Sequence, residues 1–211
     1  MEEHYNGEIL KLSLDRMPHV LVDRYLPNIT NSSVTSENIQ GTLEAMDYLF
    51  RARHEHIALL NQESRNSNTH ERALGFERAF LDRKLPIDKT YWLHLKRTSR
   101  ADDERVKRQI VEFFDAHQQV TAAFAVDTVL ARLAYAALIE TGRRVPKTIA
   151  LVSFDDPKLP FVPYVRQDID AIAEKAVELI IEQMEGTYSP RRETVPVTFV
   201  ADVGYPTPEG L

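Results

Sequence analysis

Short apolar runs alternate with helix-period segments along most of this chain, and that alternation restricts the fold more than any other feature. Residues 56–60 (HIALL), 91–95 (YWLHL), 121–126 (TAAFAV) and 149–154 (IALVSF) have the length and character of strands. Before and between them, apolar residues recur at helical spacing: Ile39, Leu43, Met46 and Leu49 or Phe50; Ala73, Phe76, Phe80 and Leu81; Val106, Ile110, Phe113 and Phe114. Strands separated by crossover helices pair in parallel, so the pattern predicts an α/β fold with parallel sheets flanked by helices. A final strand is expected over 195–200, after a helix from about Ala171 to Met184.

Parallel sheets bind ligands beyond the carboxyl ends of their strands. Polar residues collect at those places here. Asp23 and Arg24 close the run 19–23 (HVLVD), the polar run 61–72 (NQESRNSNTHER) follows the next strand, Asp127 follows 121–126, and Asp155 and Asp156 follow 149–154. On extended backbone, neighbouring aspartates point to opposite faces, which is poor geometry for a shared acid–base pair. One of them faces a cleft as a hydrogen-bond acceptor, or it caps the turn before Pro157. Ser36, Thr69 and Asp127 read as helix N-caps and Gly142 as a C-cap. Gly75 weakens its helix unless close packing requires it. Arg72 falls just inside a helix start, where the helix dipole disfavours a cation. Its guanidinium fork suits hydroxyl, carboxylate or phosphate ligands, the alternative being an exposed arginine with a free tip.

Composition excludes several classes. The chain has 211 residues, net charge −6 and no cysteine, so it has no disulfide and no thiolate nucleophile or metal ligand. No apolar run approaches the roughly 20 residues needed to span a bilayer. The acidic start MEEHYNGEIL is unlike a signal peptide, and a cytoplasmic location is expected. An acidic chain does not grip DNA by itself. The basic residues Arg97, Arg100, Arg105, Lys107 and Arg108 are interleaved with Asp102, Asp103 and Glu104, the pattern of a solvated helix face. No phosphate loop, dinucleotide fingerprint or nucleophile elbow is present, so no enzymatic activity and no cofactor is expected. His54, His56 and His70 offer a metal set in principle, but surface histidines are the plainer reading. Trp92 is read as core packing, with stacking on a sugar as the functional alternative.

Several stretches together resemble the effector-binding domain of LacI/GalR-type transcription regulators, a domain also found behind GntR-type DNA-binding heads. They are PHVLVDRYLP (18–27), SENIQGTLEAMDYL (36–49), HIALLN (56–61), ERALGFERAF (71–80), TAAFAVD (121–127) and TGRRVPKTIALVSFDD (141–156), in order and at matching spacing. The resemblance implies a periplasmic-binding-protein-like fold: two α/β lobes joined by three crossovers, with a small ligand in the cleft. It implies a remnant of the first lobe at 1–38 and 167–189, and the second lobe at 39–166 and 190–211. By the same resemblance Arg72 takes the position of the family's effector-binding arginine and Asp155 that of its effector-binding aspartate. Asp23, Asn66, Asn68 and Gln167 complete the implied ligand set. Val126 stands where the family usually has Asn, Arg53 and Ser153 where it usually has Gly, and the segment 156–167 is shorter than usual.

The chain is thus expected to begin inside the first lobe, with the DNA-binding head absent. The implied function is sensing of a small effector, a sugar or sugar derivative, with DNA contacted only through the missing head and the domain working as a homodimer without a membrane. A transport-type periplasmic sugar-binding protein of the same fold is the alternative.

Overall fold

In chain order the elements are α1 (Glu2–Leu14), β1 (Val20–Val22), β2 (Ser32–Ser36), α2 (Asn38–Arg51), β3 (Ile57–Gln62), α3 (Ser67–Asp82), β4 (Trp92–Leu95), α4 (Asp103–Ala116), β5 (Ala122–Ala125), α5 (Thr128–Glu140), β6 (Ala150–Phe154), β7 (Tyr164–Gln167), α6 (Ile169–Met184), β8 (Arg192–Val195) and β9 (Val197–Val200). The computed structural model describes residues 2–64, 66–186 and 189–201, with side chains from residue 7 onward. The chain divides into two compact units, one of Met1–Asn38, Asn66–Asn68 and Gln167–Val197, the other of Ile39–Arg65, Thr69–Arg166 and Thr198–Leu211.

The first unit holds a three-stranded sheet in the order β1-β2-β8, parallel throughout. Its central strand reads SSVTS, yet every residue of it is buried. Only Val34 of that strand joins the apolar cluster, with Val195 of β8 and Ile172 and Leu179 of α6. The Asp168 carboxylate caps α6 by accepting from the Ala171 amide at 3.0 Å. At its other end Gln183 exchanges two hydrogen bonds with the backbone of His19, at 3.0 and 3.1 Å. That pair ties the helix to the approach of β1.

The second unit holds a six-stranded sheet in the order β4-β3-β5-β6-β7-β9, with β4 through β7 parallel. Ile57, Ala58, Leu59 and Leu60 of β3 are all at most 1% exposed. Successive strand residues point to opposite faces, so helices cover this sheet on both sides. Gly75 does permit a close helix approach: a Cβ built there would stand 2.7 Å from Thr42 Cβ and 2.9 Å from the Ile39 carbonyl.

The structure departs from the sequence reading in particular places. The run 195–200 is two strands, not one. Pro196 has no N–H to continue a ladder, and β8 pairs with β2 while β9 lies beside β7. By compactness the first unit runs on through Val197. Strand β7 was not anticipated, because its sequence YVRQ carries a single aliphatic residue. Ser36 ends β2 instead of capping α2, and Thr69 sits inside α3, which starts at Ser67.

Candidate functional site

In the second unit, α3 and the ends of β5 and β6 assemble a buried cation beside carboxylates. Arg72 is the sixth residue of α3, in its second turn and not at its start. It is 4% exposed, which removes the alternative of an exposed tip. Its guanidinium carbon lies 3.6 Å over the Phe154 ring. Nη1 donates to the Val126 carbonyl at 2.8 Å and stands 3.9 Å from Asp155 Oδ2. Across that distance the carboxylate compensates the guanidinium's charge. The result is a planar donor fork, held flat on an aromatic ring, next to an acceptor.

Asp155 reaches this position because its backbone is not extended. It follows β6 with φ +66°, so the expectation that Asp155 and Asp156 alternate across an extended strand does not hold. The two side chains do separate in role. Asp156 closes the turn, accepting from the Lys158 amide at 2.8 Å and pairing with its ammonium at 2.6 Å. Asp127 caps α5 as expected, accepting from the Leu130 amide at 2.8 Å. Burial pushes its carboxyl above the ordinary aspartate value, against the pull of the Leu130 and Val129 amides and the charges of Arg72 and Arg97.

In the first unit, Asp23 also follows its strand with φ +66°. Asn68 donates to Asp23 Oδ2 at 2.9 Å, while Oδ1 is buried with no hydrogen-bond partner among the described residues. Asn66 accepts from Arg24 at 3.3 Å, and Ser67 accepts from the Tyr25 amide at 2.9 Å. Asp23, Asn66 and Asn68 are thus gathered in one place. The Gln167 side-chain carbonyl accepts from the Ser36 hydroxyl at 2.5 Å. Ser67 and Phe154 were missed from sequence. A serine in a polar run and an aromatic at a strand end carry no local mark of the partner they meet.

The histidines do not converge as ligands. His54 Nδ1 lies 2.8 Å from the Thr121 hydroxyl and His56 packs edge-on against Tyr91. Among the described residues no group of three or more His, Cys, Asp or Glu is placed to hold a metal ion, and no helix is long and apolar enough to cross a membrane. Trp92 packs edge-on against Phe76 at 5.9 Å.

The chain is similar to known proteins over most of its length. The periplasmic binding protein-like domain family matches residues 46–201. The chain is 24% identical over 185 residues to the HTH-type transcriptional repressor PurR of Aliivibrio fischeri, covering 83% of this chain and 53% of the relative. It is 26% identical over 180 residues to the HTH-type transcriptional regulator GalS of Salmonella typhimurium, covering 82% and 52%. It spans about half the length of the curated relatives it matches. Among solved structures, a regulatory protein of the LacI family from Chloroflexus aggregans superposes with a TM-score of 0.81 at 25% identity, over 93% of this chain and 72% of that one. A transcriptional regulator CelR–cellobiose complex superposes with a TM-score of 0.79 at 24% identity, over 90% and 59%, a likeness of fold. With α/β units of parallel strands flanked by helices, and a family match covering most of its length, the protein belongs to the periplasmic binding protein-like domain family.

Proposed function

We propose that this chain is the effector-sensing part of a bacterial transcription regulator and that its effector is a small carbohydrate or carbohydrate derivative. The observation that carries the reading is Arg72: a guanidinium 4% exposed, stacked on Phe154 and set beside Asp155. Burying a cation is costly unless it is compensated, and vicinal hydroxyls both accept from such a fork and donate to such a carboxylate. The names of the relatives support the regulatory role: PurR and GalS are HTH-type regulators, and the CelR structure holds cellobiose. In this reading Arg72 and Asp155 are the ligand-contacting residues of the second unit, and Asp23, Asn66 and Asn68 are the polar candidates of the first. Gln167 holds the Ser36 hydroxyl. DNA is contacted through a head outside this chain, the domain acts as a homodimer in the cytoplasm, and it is not an enzyme.

The test is a thermal-shift screen of mono- and disaccharides, then calorimetric titration of the best ligand into the parent protein and Arg72→Lys. A stabilising ligand raises the melting temperature by mass action. The lysine variant should bind it about ten- to 150-fold more weakly, the range for a lost charged hydrogen bond. Equal affinity in both proteins would place the ligand elsewhere.

A further inference from the structure

Helix α6 buries Ile172, Leu179 and Gln183, and the two aliphatic residues meet Val34 and Val195 of the first-unit sheet. A second apolar row of the same helix stays outside. Ile169, Val177, Ile181 and Met184 are between 46% and 72% exposed, and Ala173 in the same row is exposed too. Steps of three and four residues keep the row on one side of the helix. Acidic residues run along one edge of it. Asp170, Glu174 and Glu178 follow one another four residues apart, Glu185 continues them, and all four are exposed. None of the four is in an ion pair among the described residues, whereas Arg191 forks onto Glu182 at 2.6 and 2.9 Å. From Asp168 to Glu185 there are six carboxylates against one lysine, Lys175, which lies beyond the acidic edge, away from Val177. The strands packed on α6 add no counter-charge: β1 and β2 carry no charged residue, and in β8 Arg192 lies 3.9 Å over the Tyr25 ring. Helix stability does not ask for this edge. Like charges four residues apart destabilise a helix, and the last turns hold carboxylates but no base, against the helix dipole.

We propose that this face of α6 is a docking surface for a basic amphipathic helix of a partner protein. The partner's apolar side lies along Ile169, Val177, Ile181 and Met184, and its Lys or Arg edge meets Asp170, Glu174 and Glu178. Such a partner relieves the repulsion along the acidic edge, and the opposite charges fix its orientation. A second copy of this chain is the poorer occupant. Seated antiparallel about a two-fold axis, it sets the acidic edge beside the same edge of its partner, so the stripe associates with itself only weakly. The surface shares no residue with the Arg72–Asp155 pair and stands or falls independently of the carbohydrate reading.

The probes are three synthetic helical peptides of about five turns, each carrying a fluorophore. The first has a leucine row at steps of three and four residues with lysines along one edge. The second has glutamates in place of the lysines, and the third is the first with its leucine row scrambled. Each is titrated with the full chain and read by fluorescence anisotropy. The lysine peptide should saturate and weaken as salt is raised. The glutamate peptide should bind at least about tenfold more weakly, since like charge disfavours it, and the scrambled peptide should not saturate. Glu174→Lys with Glu178→Lys should reverse the order of the lysine and glutamate peptides. Val177→Ser with Ile181→Ser should abolish saturation by the lysine peptide. All four residues are exposed, so both variants should melt close to the parent. The proposal is overturned if the lysine peptide does not saturate, if the scrambled peptide matches it, or if charge reversal leaves the order unchanged. It is also overturned if the chain forms a tight dimer that the lysine peptide does not dissociate, because a second copy then holds the stripe.

Discussion

Asp23 and Asp155 share one backbone setting. Each directly follows the last residue of a parallel strand, β1 for Asp23 and β6 for Asp155. Each donates its amide to the strand alongside, Asp23 to Val34 at 2.9 Å and Asp155 to Val165 at 2.8 Å. Each then turns with φ +66°. A left-handed residue with a Cβ costs about 1–2 kcal/mol, and Asp and Asn tolerate it best. The backbone therefore asks for Asp or Asn at these strand ends, and only the chemistry asks for a charge.

Asp155→Asn and Asp155→Val should separate the two demands. The asparagine variant loses a partly exposed ion pair and should fall within about 1 kcal/mol of the parent. The valine variant should lose about 1–2 kcal/mol more, because a β-branched residue fits the left-handed turn poorly. Urea unfolding measures both, and both should lose carbohydrate affinity.

Arg72→Ala should reduce stability as well as binding, because the side chain is almost fully buried. It removes the hydrogen bond to Val126, about 1–3 kcal/mol, and the stacking on Phe154, about 1–2 kcal/mol when desolvated. The combined loss should be about 2–5 kcal/mol in urea titrations. Arg72→Lys should fall between, since it keeps the charge and loses the planar face.

Asp127 gives a pH signature. Its folded carboxyl binds its proton more tightly than in the unfolded chain, because burial raises its pKa. Its contribution therefore favours the fold most at low pH and declines as pH rises through the raised value. Asp127→Asn keeps a capping oxygen for Leu130 and removes that titration. Relative to the parent, the variant should gain stability between pH 4 and pH 7, as read from urea midpoints at the two values.

Gly75→Ala should destabilise although alanine is the better helix former by about 1 kcal/mol. The added methyl meets Thr42 Cβ at 2.7 Å and the Ile39 carbonyl at 2.9 Å. Overpacking of this kind costs about 1–3 kcal/mol. A lower urea midpoint at unchanged slope is the expected result.

On α6 the residues Val177 and Ile181 are 54% and 46% exposed, with Ile169 and Met184 on either side. Such a stripe favours association. Val177→Lys with Ile181→Lys should lower concentration-dependent light scattering and leave the melting temperature nearly unchanged.

The sequence made the second-unit sheet legible because each central strand is an unbroken apolar run. HIALL and TAAFAV say β-strand without help from context, and the helices between them keep their period. Strand β2 was harder, since SSVTS is buried by its two neighbours and not by its own hydrophobicity. Strand β7 was invisible because YVRQ carries a single aliphatic residue, and only Val165 is buried. At the site, the aspartates were readable from their place after the strands. The stacking of Arg72 on Phe154 was not, because it joins residues 82 positions apart and leaves no mark in the spacing of either.

Pro196 alone stands between β8 and β9. A connection of one residue contains no slack. Inserting a single residue there would exchange the two faces of β9, since strand side chains alternate. Phe199 would then turn away from the Tyr48 ring, 5.3 Å off in the present register. Length at this joint is thus a stricter inheritance than composition: drift can change the letters around Pro196 far more freely than it can change their number.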